Sequence, residues 1–290
     1  MASIGQVPVA AESYELLIEG DQPRVYAPRR RGTGRRVRIG RGLILVVAGL
    51  YFLVPIYAAL YFALQNDQGH FSLAPIAAIP SQPGLGSAFW LSARLAVVTT
   101  LIAMILMVPT VVYMYLKAPR LKPLFETITL LPIVIPPIVL ILGVLEAAPL
   151  WLKSSPYLLS LIYVILAMPF VYRSLAAGLA AIDLATLVEA SRSLGAGWFR
   201  TLWRVLMPNM RSAMLSATVL TVALVLGEFT MASLDLWETL PVWIVDFAQS
   251  NAHITTAVAM LSLLGTWLLL TLIVSLDRSQ SRRTLKRKQS

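Results

Sequence analysis

Residues 189–208 read E-A-S-R-S-L-G-A-G-W-F-R-T-L-W-R-V-L-M-P, a polar interruption between two long apolar stretches. Glu189, Arg192, Arg200 and Arg204 carry its charges. Ahead of Gly195, apolar residues fall at Leu184, Leu187, Val188 and Leu194; after it they fall at Phe199, Leu202, Trp203 and Leu206. Both sets have helical spacing, so the stretch predicts two amphipathic helices joined at a glycine. Such a pair inside an otherwise apolar chain points to a docking surface rather than a catalytic site.

The flanking sequence decides the class of protein. The chain has 290 residues, of which 58% are hydrophobic and only 13% charged, whereas soluble domains carry about 25% charged residues. The apolar residues come in long runs, which marks an integral membrane protein. A membrane helix needs about 20 mostly apolar residues. Six segments qualify, at about 43–64, 89–116, 124–145, 157–175, 213–234 and 255–276. The third contains Pro132, Pro136 and Pro137, which remove backbone hydrogen bonds and are expected to kink it.

The net charge of +10 would suggest nucleic-acid binding in a soluble protein, but here its distribution follows topology. All of the 24 Lys and Arg residues except Arg94 and Lys153 fall in four places. These are the N-terminal segment, the loop from Lys117 to Lys122, the loop from Arg173 to Arg211, and the segment after Leu276. They alternate with loops almost free of basic residues, so the positive-inside rule puts both termini in the cytoplasm. The basic residues are thereby explained without a nucleic-acid partner. Trp90, Trp151, Trp237 and Trp243 fall near the outer ends of spans, as an interfacial belt requires. The outer loops carry Asp67, Glu146, Asp235, Glu238 and Asp246 against Lys153, a net acidic face suited to a partner or a cation.

The expected fold is therefore all-α and membrane-embedded, with six transmembrane helices. Residues 1–41 read as a polar, disordered cytoplasmic tail, without the early apolar run of a signal peptide. Residues 42–277 form the transmembrane domain, with a cytoplasmic loop at about 176–211. Residues 278–290 form a basic cytoplasmic tail.

Catalytic constellations are missing from the sequence. Its two histidines, His70 and His253, fall in expected outer loops, and the absence of cysteine excludes thiol chemistry and thiolate metal sites. No H-E-x-x-H, nucleophile elbow or G-x-x-x-x-G-K-[ST] phosphate loop is present. No cofactor is expected. Transport driven by ATP would need an ATPase on another polypeptide.

The stretch around Gly195 resembles the E-A-A-x(3)-G-x(9)-I-x-L-P loop of permease subunits in binding-protein-dependent ABC importers. Glu189, Ala190, Gly195 and Pro208 match at the spacing of that motif, while Ser191, Val205 and Met207 depart from it conservatively. The lead-in, Met168, Pro169, Phe170, Val171, Tyr172 and Arg173 through Ile182 and Asp183, is similar as well, and the resemblance covers most of the chain after about Phe89. It implies the type I importer permease fold in a bacterial inner membrane. It also implies an ATPase subunit dimer, a second permease subunit and an extracytoplasmic substrate-binding protein as partners. In that family the loop forms a coupling helix that sits in a groove of the ATPase, a helix-in-groove mode of recognition. The residues expected to serve it are Asp183, Leu187, Glu189, Ala190, Gly195 and Pro208. Asp183 would favour the positive end of the helix, and Glu189 would offer a charge-assisted contact. Gly195 would permit a turn or a close approach, and Pro208 would mark where the second helix ends or bends.

For the substrate, the run L-G-E-F-T-M-A-S-L at 226–234 and L-P-V-W-I at 240–244 resemble second permeases of spermidine/putrescine importers. They also resemble those for ferric iron and thiamine. A polyamine is the leading expectation, with the other two solutes as alternatives. Glu228 reads as an intramembrane carboxylate on the pathway or in the packing, with Arg94 as a candidate charge partner at similar depth. A different class, an ion-coupled secondary transporter, would need a coupling-ion site and usually internal repeats. No repeat is visible, and Glu126 and Glu228 are the only acids within the expected spans.

Overall fold

A computed structural model describes residues 35–66 and 68–287, with 35–41 and 276–287 as backbone alone. The expected tail over 1–41 thus lies mostly outside the described residues. The chain divides at Val54 and Pro55 into two units. The first contributes the opening part of helix α1 (Arg35–Ala63). The second holds the remainder of α1 and every later helix among the described residues. These are α2 (Ala74–Ala77), α3 (Leu85–Lys117), α4 (Lys122–Val134), α5 (Pro137–Ala147) and α6 (Leu150–Lys153). They continue with α7 (Tyr157–Ala180), α8 (Leu184–Ser193), α9 (Trp198–Asn209), α10 (Arg211–Leu226), α11 (Thr230–Leu234), α12 (Leu240–Phe247) and α13 (Ala252–Arg287).

The six expected spans are present in an altered form. Four helices, α1, α3, α7 and α13, are each long and apolar enough to cross a membrane. The other two expected spans are broken. The third is α4 followed by α5, where the expected kink is a turn of 98°. Its prolines explain the corner. Pro136 drives Ile135 out of the helical region, to φ −79 and ψ 122, and Pro137 opens the next helix where its missing N–H costs nothing. The fifth expected span also differs. It begins at Arg211, bent by 78° from α9, and stops at Leu226. Residues 227–229 are non-helical, and α11 resumes at Thr230.

The spans are held by two buried clusters stacked along α3 and α7. The inner one contains Met107, Val111 and Val112 of α3, Val171 and Leu175 of α7, and Val188, Leu202 and Leu206 from the hairpin around Gly195. The outer one contains Leu95 of α3, Leu159 and Tyr163 of α7, Ile141 of α5 and Met231 of α11. Lipid tails are as apolar as these side chains, so close packing rather than escape from water favours the helix contacts. One close contact of this kind is at Gly178. A Cβ added there would run into the Cβ of Ala213, so α7 and α10 cross with almost no side chain between them.

Candidate functional site

The first arm of the hairpin, α8, starts at a side-chain cap. The Asp183 carboxylate accepts from the Thr186 backbone N–H at 3.2 Å and from the Thr186 hydroxyl at 2.8 Å. Those bonds satisfy an otherwise unpaired donor of the first turn and hold the Asp183 carboxyl below its ordinary range. Along α8, Val188 and Ser191 are buried and Leu184 and Leu187 half-buried, while Glu189, Ala190 and Arg192 are exposed. Leu187 packs against the inner cluster, so of the expected coupling residues it supports the arm from beneath, whereas Glu189 and Ala190 stand on the open face.

The arm ends in a left-handed turn at Gly195, with φ +76. The Gly195 N–H donates to the Arg192 carbonyl at 2.8 Å, and the Ala196 N–H donates to the Ser191 carbonyl at 3.1 Å. This pair of bonds is a Schellman cap, which needs a residue comfortable at positive φ. Nothing lies within 4 Å of the place a Gly195 Cβ would occupy. The glycine is therefore required by backbone conformation; it makes no close approach. Leu194 beside it is 86% exposed.

The second arm, α9, turns back under the first. The Ser191 and Thr201 hydroxyls meet at 2.8 Å, both side chains being buried, and tie the two arms together. Pro208 lies in the last turn and has no N–H to donate to the Arg204 carbonyl four residues earlier. Just ahead of it the ladder widens, the Met207 N–H reaching the Leu202 carbonyl five residues back. The Asn209 side-chain amide donates to the Val205 carbonyl at 2.6 Å. The helix then bends into α10 at Met210. Trp198 packs edge-on against Tyr113 of α3, with ring centroids 6.4 Å apart.

The apolar periodicity of α9 splits between two surfaces. Leu202 and Leu206 turn into the inner cluster, while Phe199 and Trp203 point outward, 74% and 61% exposed. The Ser191–Thr201 pair went unrecognised in the sequence. Its one visible signal was Ser191, a hydroxyl at a position where the resembling motif has alanine.

The expected pathway residues do not meet. Glu228 lies in the break after α10 instead of within a span. Its carboxylate accepts from the Tyr163 hydroxyl at 2.9 Å and from the N–H groups of Met231 and Ala232 at 2.8 and 3.3 Å. It thus caps α11 and ties it to α7. Arg94 is exposed on α3 and is not among the partners of Glu228. Beyond the cap, Asp235 has a buried Oδ2 without a hydrogen-bond partner, and burial pushes its carboxyl up to about 6.

Comparison with known proteins agrees with this geometry. Residues 84–286 match the family model described as binding-protein-dependent transport system inner membrane component. A probable molybdenum ABC transporter permease protein of Haloferax volcanii is 32% identical over 231 residues, covering 74% of this chain and 82% of that protein. The sulfate transport system permease protein CysW of Synechococcus elongatus is 34% identical over 122 residues, covering 40% of this chain and 42% of that protein.

Proposed function

The chain belongs to the family of binding-protein-dependent transport system inner membrane components, and from that premise we propose that the hairpin around Gly195 is its point of attachment to a separate ATPase. It is a multi-pass inner-membrane permease subunit of an ABC importer. In our reading it forms half of a permease pair, facing a second permease subunit, with two ATPase subunits on the cytoplasmic side and a binding protein outside. The observation that carries this is the capped arm, α8, which holds Glu189, Ala190 and Leu194 on an open face beside the Gly195 turn.

Force applied there has a direct route inward. Val188, Leu202 and Leu206 share one buried cluster with α3 and α7, and close-packed interiors transmit displacement rather than absorb it. ATP-driven closure of the ATPase pair would move the hairpin and, with it, the inner halves of those two spans. Hydrolysis would then reset the cycle. Co-purification and ATP-dependent uptake by the reconstituted complex test this. An ATPase that fails to co-purify, with uptake continuing in the absence of ATP, would mean an ion-coupled transporter instead.

For the cargo, we favour a small oxyanion of the molybdate or sulfate kind over the polyamine that residues 226–244 resemble. One relative is named for molybdenum, which we take to travel as its oxyanion, and the other for sulfate. Glu228, the carboxylate left open between pathway and packing, has its oxygens engaged by Tyr163, Met231 and Ala232. Uptake measured with labelled molybdate, sulfate, spermidine, ferric iron and thiamine decides the matter. Transport of spermidine without either oxyanion would reverse the assignment.

A further inference from the structure

The outward face of α9 is unexplained by attachment of an ATPase to the first arm. Phe199 and Trp203 lie one turn apart and are largely exposed, and Arg200 and Arg204 form a second exposed stripe beside them. Neither guanidinium has a hydrogen-bond or ion-pair partner among the described residues. The opposite side of the same helix is closed against the protein by Thr201, Leu202 and Leu206.

Two observations set the depth and direction of this helix. It is turned by 78° from the span that follows it, so with α10 crossing the bilayer, α9 runs close to the membrane plane. Trp198 at its start touches Tyr113. On α3, Tyr113 lies 23 residues (113 − 90) beyond Trp90, which the span pattern of the sequence assigns to the outer aromatic belt. At about 1.5 Å per residue that is about 35 Å, slightly more than the ~30 Å hydrocarbon thickness. Tyr113, and α9 with it, therefore sit in the opposite headgroup layer, on the side of the basic loops.

We propose that α9 is an interfacial anchor that seats on anionic phospholipid. Phe199 and Trp203 enter the boundary between headgroups and acyl chains, and Arg200 and Arg204 bind lipid phosphates. An aromatic stripe flanked by arginines on a helix lying in the plane is the pattern of a membrane-surface helix, and arginine suits phosphate through its forked donors. The two arms of the hairpin then divide their duties. The first arm offers Glu189, Ala190 and Leu194 to protein, while the second rides on lipid and is held to the first by the Ser191–Thr201 hydroxyl pair. The lipid contact does not depend on the ATPase reading and can be tested without it.

The test uses the full chain in phosphatidylcholine vesicles with and without phosphatidylglycerol. The lipids are brominated near the glycerol end of their acyl chains. Subtracting the emission of Trp203→Phe isolates the Trp203 contribution, and the substitution spares the fold because the side chain is exposed. That contribution should be strongly quenched by the brominated lipid, with no ATPase present. In Arg200→Gln and Arg204→Gln, affinity for spin-labelled phosphatidylglycerol should fall about fivefold for each arginine removed. Emission quenched by aqueous acrylamide and not by brominated lipid would overturn the proposal. So would shielding of Trp203 only on adding the ATPase, which would make this face a second protein-docking surface. Unchanged phosphatidylglycerol affinity in both arginine variants would also overturn it.

Discussion

At Gly195 the requirement is conformational and can be tested without disturbing any packing. The residue has φ +76 and open space where a Cβ would go, so alanine or arginine there costs about 1 kcal/mol in backbone strain, while asparagine costs less. Gly195→Asn should keep most of the uptake. Gly195→Arg should insert normally into the membrane but lose uptake; equal uptake by both variants would remove the turn from the mechanism. Glu228 invites the opposite outcome. Because its carboxylate caps α11 and binds the Tyr163 hydroxyl, Glu228→Ala should lower protein abundance and melting temperature, leaving the KM of the surviving transporter unchanged. A raised KM at normal abundance would return Glu228 to the pathway. Asp235 supplies a pH test. Its carboxyl moves from an ordinary 3.8 up to about 6 on burial, so the folded chain resists its ionisation. The stability associated with it is fully present below about pH 4 and is lost as the pH rises through about 6. Asp235→Asn should remove that part of the slope and raise the melting temperature at neutral pH. Identical melting curves for the two proteins from acid to neutral pH would contradict the burial argument.

At the scale of helices, the sharpest expectation concerns the crossing of α7 and α10. Gly178→Ala drives a methyl group into Ala213, and overpacking of this kind costs about 2 kcal/mol. The melting temperature should fall, and the second substitution Ala213→Gly should restore it; a neutral single variant would show that the helices part freely. This contact was illegible in the sequence, because a glycine in an apolar run says nothing about which helix lies against it. The positions of the spans were legible, since apolar length alone reports them. Their breaks were only half legible: Pro136 and Pro137 locate the interruption in the third span, but a lost hydrogen bond does not set an angle of 98°. The faces of α9 were misjudged for a different reason. Apolar periodicity marks a surface that avoids water, and in a membrane protein lipid satisfies Phe199 and Trp203 as well as a core satisfies Leu202 and Leu206. The hairpin itself was legible because its signals are local: apolar residues at helical spacing on both sides of a glycine, with Asp183 near the start of the first arm. The Thr186 bonds that make Asp183 a cap came only from the structure.

On the scale of the whole transporter, the two buried clusters would divide motion from transport in the proposed mechanism. One cluster joins the hairpin to α3 and α7 near the hairpin, and the other joins α3 and α7 to α5, α11 and α12. Displacement of the hairpin would thereby reach the two long spans first. The central claim is that this displacement comes from an ATPase held on the first arm, and the chain is well suited to a direct test because it contains no cysteine. Ala190 is exposed on that arm, and Ala190→Cys would carry the only thiol in the chain. In membranes containing the assembled importer, a thiol-reactive cross-linker at Cys-substituted Ala190 should capture the ATPase subunit, with a yield that changes on adding ATP. A thiol placed instead at Ile105, exposed on α3, should capture none. Failure to trap an ATPase at Ala190, or trapping no greater than at Ile105, would contradict the assignment of this hairpin as the coupling element.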